Sequence, residues 1–114
     1  MAKSKIPGPL QRRHLIEKDQ DASRALAIAE TYLEAGRAVE ALDFLAKAEA
    51  SERLAELRAS AVAEGDAFLL RGVAQADGNA PRPDEWAALA DAAAARGKDS
   101  YAAEARRQAE RVED

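Results

Sequence analysis

Three glycines divide a chain of 114 residues that otherwise favours helix. Gly36, Gly65 and Gly97 each separate two alanine-rich segments, at spacings of 29 and 32 residues. Glycine ends many helices because it adopts the left-handed backbone conformation at little cost. Recurrence near this period is typical of proteins in which helical hairpins stack on one another. The spacing therefore predicts a repeated unit of helix, turn and helix.

Alanine dominates the apolar composition. Hydrophobic residues make up 47% of the chain, and alanine accounts for 30 of them. Alanine has the highest helix propensity of any residue but buries little apolar area, so helices form readily while the core stays thin. No segment alternates between apolar and polar residues in the manner of a half-buried strand. The composition therefore predicts an all-α fold whose burial a partner or a second copy of the chain would complete.

Apolar residues at spacings of three and four mark six predicted helices. The first is capped by Asp19 or Asp21 and runs to about Ala35. Asp66 is the predicted cap of the fourth, and Pro83 suits the first turn of the fifth. The second helix is predicted at about 38–50, the third at 51–64 and the sixth at 99–112. The fourth runs from 66 to a turn-rich loop at 77–83, and the fifth from 83 to 97. The aromatic residues predicted to pack in the core or between hairpins are Tyr32, Phe44, Phe68, Trp86 and Tyr101.

The first 18 residues differ from the rest in charge and composition. Prolines on both sides of Gly8 exclude a helix there, so residues 1–9 are predicted to be extended or disordered, with a short helix within 10–18. Residues 1–18 carry a net charge of +4, whereas residues 19–114 carry −8. We therefore predict a basic, partly disordered arm over 1–18 and a helical repeat domain over 19–114. The basic residues of the arm are Lys3, Lys5, Arg12, Arg13 and Lys18.

Small and large residues follow one order in two of the repeated units. The first unit shows it at Ala25, Ile28, Ala29, Tyr32, Gly36, Ala41, Leu45 and Ala48. The third shows it at Trp86, Leu89, Ala90, Ala93, Gly97, Ala102 and Ala109, and a weaker middle unit at Leu54, Leu57, Ala61, Gly65 and Leu70. This order resembles the tetratricopeptide repeat over roughly residues 22–112. The resemblance implies antiparallel helical hairpins that stack as a short right-handed superhelix.

Three arginines depart from that pattern. Arg53 stands where a proline commonly closes the first unit, Arg58 replaces a small residue of the middle unit, and Arg106 replaces a large apolar residue of the third. The spacings between units are also shorter than is usual in the family. The alternative interpretation is an alanine-rich helical bundle with accidental periodicity.

Residues suited to catalysis or metal binding are sparse. The chain has no cysteine and a single histidine, His14, in the charged N-terminal segment. This composition argues against a thiolate site and a Ser–His–Asp triad. Glu30 and Glu34 lie one helical turn apart, but helical metal sites usually add inward-facing histidines. There is also no glycine-rich phosphate loop. We therefore predict no enzyme activity, no cofactor and no metal.

The resemblance also implies a binding surface. In the family, the first helix of each hairpin lines a concave groove that receives an extended peptide or a helix of a partner. The matching residues here form an apolar floor edged by carboxylates, without the lysine and asparagine set that clamps a terminal carboxylate. A mildly basic or amphipathic partner segment is therefore favoured. The predicted groove residues are Ser23, Leu26, Glu30, Leu33 and Glu34, then Glu52, Ala55, Ala59 and Val62, then Asp84, Ala87, Asp91 and Ala94.

Two other functions remain open. The thin core allows self-association, which would make the chain a homo-oligomeric scaffold or assembly domain. The basic arm allows nucleic-acid binding by counterion release, although the acidic body would repel a phosphate backbone. No segment approaches the roughly 20 apolar residues that span a bilayer, and the N-terminus lacks the apolar core of a secretion signal. We therefore predict a cytoplasmic protein, of bacterial origin by its composition, with no membrane partner.

Overall fold

The computed structural model describes the backbone of residues 9–113 and the side chains of residues 21–111. This part of the chain is all-α, as predicted, and contains six helices and no strand. The helices are α1 (Pro9–Glu34), α2 (Ala38–Lys47), α3 (Ser51–Glu64), α4 (Ala67–Asp77), α5 (Pro83–Ala95) and α6 (Asp99–Glu113).

Helix α1 is longer than predicted. The sequence predicted a short helix within 10–18 and a separate one starting at Asp19 or Asp21, whereas the structure has one continuous helix from Pro9. Proline is tolerated in the first turn of a helix, and residues 10–20 contain neither glycine nor proline to stop it. An aspartate acts as a cap only where the helix begins, so the predicted caps at these positions are wrong.

The basic arm lies largely outside the described part of the chain. Lys3 and Lys5 are outside the described residues. Arg12, Arg13 and Lys18 belong to α1, but their side chains are not among those described. The division into an arm over 1–18 and a domain over 19–114 stays a prediction.

Other helix ends follow the predicted residues. The Asp66 carboxylate accepts a hydrogen bond from the Leu69 backbone N–H at 3.0 Å and caps α4. Pro83 is the first residue of α5, and the Glu85 carboxylate accepts a bond from the Arg82 backbone N–H at 2.8 Å. Both contacts satisfy N–H groups that have no partner within their own helix.

Each helix packs against a sequence neighbour to form a hairpin. The pairs are α1 with α2, α3 with α4, and α5 with α6, and the short turns between them make the two helices of each pair antiparallel. The largest fully buried side chains are Leu45, Leu70, Val73 and Leu89, and most of the remaining core is alanine. The core is therefore thin.

The hairpins form two layers of helices. In one layer α3 packs against α5, and Arg53 of α3 bonds Glu30 of α1. In the other layer α2 packs against α4, and Arg71 of α4 pairs with Glu104 of α6. The radius of gyration is 18.4 Å, against about 13 Å for a compact chain of this length, so the stack is elongated. The right-handed superhelix stays a prediction. None of the described helices is long and apolar enough to cross a membrane.

Candidate partner-binding surface

A cleft opens between α1 and the start of α3, within the predicted groove. It encloses about 380 Å³ and includes two predicted groove residues, Leu26 and Glu30, from α1. Leu26 is 38% exposed, one of four large apolar residues exposed in the described part of the chain. We call this space the α1–α3 cleft. Its lining residues are Leu26, Glu30, Glu49, Ala50, Ser51, Glu52, Arg53 and Glu56.

Arg53 pairs with two of the carboxylates that line this cleft. Its Nε donates to Glu30 Oε2 at 2.7 Å, its Nη2 to Glu30 Oε1 at 2.5 Å, and its Nη1 to Glu56 Oε1 at 2.7 Å. The bond from Arg53 holds the pKa of Glu30 below its ordinary value, and the bonds to both glutamates raise the pKa of Arg53. Glu30 is therefore already neutralised. Among the described side chains, Glu49 and Glu52 form no ion pair, so they remain available to a cationic partner.

Glu49 holds an uncommon backbone conformation. Its φ is +54°, and it is the one residue other than glycine with positive φ in the described part of the chain. The left-handed region costs a residue with a side chain about 1–2 kcal/mol relative to the right-handed one. Glu49 lies in the turn between α2 and α3 and lines the α1–α3 cleft.

The other predicted groove residues divide into supporting and exposed positions. Leu33 and Val62 are half-buried and pack against the core, so they support the surface from beneath. The remaining eight are exposed, and Ala55 also lines a separate depression of about 640 Å³ beside the loop before α5. The eight exposed residues are Ser23, Glu34, Ala55, Ala59, Asp84, Ala87, Asp91 and Ala94. Glu52 belongs to the cleft described above.

Arg58 borders that depression, but its bonding is already satisfied. Its Nε and Nη2 donate to the Glu85 carboxylate at 2.8 and 3.0 Å, and its Nη1 donates to Asp77 at 3.1 Å. Two further bonds reach the carbonyls of Asn79 and Ala80 at 3.1 Å. The bond to Glu85 raises the pKa of Arg58 and lowers that of Glu85. Arg58 therefore ties α3 to the loop and to α5.

A second groove, between α2 and α4, was not predicted. It encloses about 670 Å³, and Phe68 at its rim is 58% exposed, contrary to the prediction that this ring packs in the core or between hairpins. Leu69, Leu70 and Val73 occupy the core-facing side of α4, which turns Phe68 outward. Helical spacing alone does not decide which of these neighbours faces inward. We call it the α2–α4 groove; its lining residues are Val39, Leu42, Asp43, Ala46, Phe68, Arg71, Gly72, Gln75 and Ala76.

The described residues contain no group of three or more histidine, aspartate or glutamate side chains placed to hold a metal ion. The single histidine, His14, has a side chain outside those described.

Comparison with known proteins identifies no relative of this chain. No family model matches the chain, and neither a curated protein nor a solved structure is significantly similar to it.

Proposed function

We propose that the chain is a non-catalytic protein-interaction module that binds a basic, amphipathic segment of a partner protein at the α1–α3 cleft. The observation that carries this proposal is the exposed Leu26 side chain beside the carboxylates of Glu49 and Glu52. An apolar contact next to free negative charges suits a segment that carries leucine-like and lysine-like side chains on one face.

The charge of the molecule supports the same class of partner. Residues 19–114 carry a net charge of −8, so the body attracts cationic segments over a distance of about 8–10 Å at physiological ionic strength. Once such a segment arrives, Leu26 supplies apolar area that becomes buried on binding. Charge therefore supports the rate of association, and Leu26 supports the lifetime of the complex.

Further predicted groove residues on α3 and α5 are exposed. Ala55 and Ala59 on α3 and Ala87 on α5 are exposed, and Asp91 adds a carboxylate. Short side chains let the backbone of a partner helix approach closely. A bound segment that starts at Leu26 can therefore extend across this layer of helices.

The α1–α3 cleft is tested with a synthetic amphipathic peptide of leucine and lysine, using isothermal titration calorimetry. We expect Leu26→Arg to weaken binding at least about 10-fold, because it removes the apolar contact and adds a positive charge that repels lysine. A peptide with glutamate in place of lysine is expected not to bind.

Ile28→Arg is the matched control. Ile28 is 37% exposed and belongs to the same helix, but a separation of two residues places it on the opposite side of α1. It should bind the lysine peptide as the wild type does, with helicity unchanged by circular dichroism in both variants. Equal binding by Leu26→Arg and Ile28→Arg would exclude the cleft as the site.

A further inference from the structure

The α2–α4 groove carries the most exposed large apolar residues of the described chain. Phe68 is 58% exposed and Val39 is 42% exposed, and both line the groove. The groove lies in the layer of α2 and α4, whereas the α1–α3 cleft lies in the other layer. An occupant of the groove is therefore distinct from the partner segment proposed above.

Helices α2 and α4 carry similar or complementary residues at the same height along the groove. Helix α3 returns the chain between α2 and α4, so these two run in the same direction. A Cβ on Gly72 would lie 2.6 Å from Leu42 Cδ1, which shows that these residues are level with one another. One turn earlier on each helix lie Val39 and Phe68, both apolar.

Charged residues occupy the middle of the groove. Asp43 follows Leu42 on α2, and Arg71 precedes Gly72 on α4, so an acid and a base lie at one level on opposite helices. One turn later, Ala46 of α2 is level with Gln75 of α4. Each level thus has matched or complementary groups on its two sides.

We propose that a second copy of the chain covers this groove, in a two-fold dimer whose axis runs along the groove. Rotation by half a turn about that axis places α2 opposite α4 of the second copy without changing the level of any residue. Val39 then meets Phe68 of the second copy, and Asp43 meets Arg71 of the second copy. Both contacts occur twice, so the surface is complementary to itself.

Arg71 is held in position for this contact. Its guanidinium pairs with Glu104 and lies 5.8 Å from the centre of the Trp86 ring. A guanidinium has five N–H donors, and one carboxylate uses at most two of them. Donors therefore remain for Asp43 of a second copy, and the side chain loses little further freedom when the dimer forms.

The size of the groove sets the strength of the dimer. Helices of 10 and 11 residues are about 15–17 Å long and pack about 9 Å apart. Such a face is smaller than the roughly 800 Å² per partner of a standard stable interface. The dimer is therefore weak and reversible, with a dissociation constant in the micromolar range or above.

Sedimentation equilibrium over a concentration series from micromolar to millimolar tests the proposal. The mean mass of the wild type is expected to rise toward that of a dimer. Phe68→Glu should weaken association at least about 30-fold, because it places a carboxylate in the apolar level of the groove. Ile28→Arg, on α1, should associate as the wild type does. A wild-type mass that stays monomeric to millimolar concentration overturns the proposal.

A reciprocal charge exchange tests the arrangement itself. Asp43→Arg alone and Arg71→Asp alone each place like charges opposite one another in a dimer of identical copies. In an equimolar mixture, each contact again joins opposite charges, so the mixture is expected to associate more tightly than either variant alone. Association of the mixture no tighter than that of the separate variants contradicts the two-fold arrangement.

A cysteine pair keeps the test valid if Arg71→Asp fails to fold. The chain contains no cysteine, so Ala46→Cys and Gln75→Cys each introduce a single thiol at one level of the groove. Under mild oxidation, a mixture of the two variants is expected to form the mixed disulfide dimer faster than either variant forms its own. Equal rates for all three dimers would count against the proposal.

Discussion

The interface between the second and third hairpins, called the second interface, is held by a largely buried ion pair, whereas that between the first and second hairpins, called the first interface, has only a half-exposed one. Arg58 joins α3 to Glu85 of α5, and the Lys98 ammonium donates to the Glu64 carbonyl at 3.1 Å. At the first interface the corresponding contact is the half-exposed pair of Arg53 and Glu30. Both the α1–α3 cleft and the α2–α4 groove lie at this first interface.

Backbone packing differs in the same way. A Cβ on Gly65 would lie 2.5 Å from the backbone of Ala93, so α3 and α5 approach too closely for any side chain there. At the first interface, a Cβ on Gly72 would meet only the tip of the Leu42 side chain, at 2.6 Å. A side-chain tip moves at low cost and a backbone does not. We infer that the second interface is the rigid scaffold and that the first carries the binding surfaces.

Gly65→Ala is expected to cause the largest loss of stability. The new methyl group overlaps the Ala93 backbone, and φ at this position is +71°, so we expect the free energy of unfolding to fall by about 3–5 kcal/mol. Urea denaturation measures it. Gly36→Ala is the control, because φ is +76° there but nothing lies within 4 Å; it should lose about 1–2 kcal/mol. Equal losses would show that the α3–α5 contact is not tight.

Arg58→Ala should cause the second-largest loss of stability. Arg58 and Glu85 have 13% and 11% exposed side chains, and removal of one partner of such a largely buried pair leaves the other charge poorly compensated. We expect a loss of about 2–4 kcal/mol in urea denaturation. Arg53→Ala, at the first interface, should lose less, because Arg53 and Glu30 are more exposed to solvent. A larger loss for Arg53→Ala would reverse the proposed roles of the two interfaces.

Low pH should lower the free energy of unfolding, because it protonates Glu85 and removes its ion pair with Arg58. Because its pKa is lowered in the folded state, its ion pair adds stability that is complete above the unfolded pKa of about 4.3. That stability is lost as the pH falls through the lower folded pKa. The free energy of unfolding should therefore fall more steeply below about pH 4.3 in the wild type than in Arg58→Ala. Parallel pH profiles of the two proteins would argue against this contribution.

Glu49→Gly should have the smallest effect on stability, and of opposite sign. Glycine accepts φ of +54° without strain, so we expect a gain of about 1 kcal/mol. Binding of the lysine peptide should weaken, because the cleft loses a carboxylate. Glu49→Gln separates the two effects, since it keeps the strain and removes the charge; it should weaken binding without any gain in stability. Unchanged binding by both variants would remove Glu49 from the site.

The sequence predicted local features better than long-range ones. The cap at Asp66 and the start of α5 at Pro83 are confirmed because each depends on a few adjacent residues. The hydrogen bonds of Arg58 join residues 19–27 positions apart in the sequence, so no local sequence pattern predicts them. The continuous α1 was missed because aspartates in its interior resemble helix caps.

The candidate site was predicted in part. Leu26 and Glu30 were identified by their match to the repeat pattern, and they do line one cleft. Glu49, which also lines the cleft, was missed because it lies in a left-handed turn of the kind that usually contains glycine. The α2–α4 groove was missed because the outward turn of Phe68 follows from the packing of Leu69, Leu70 and Val73.

Hydrogen exchange of the full chain, measured by mass spectrometry with and without the lysine peptide, tests most directly whether the first interface carries partner binding. We expect the peptide to slow exchange most in residues 23–30 and 49–56, around the α1–α3 cleft, with little change in α6. Slowing confined to the third hairpin, with none around Leu26 and Glu49, would contradict the account.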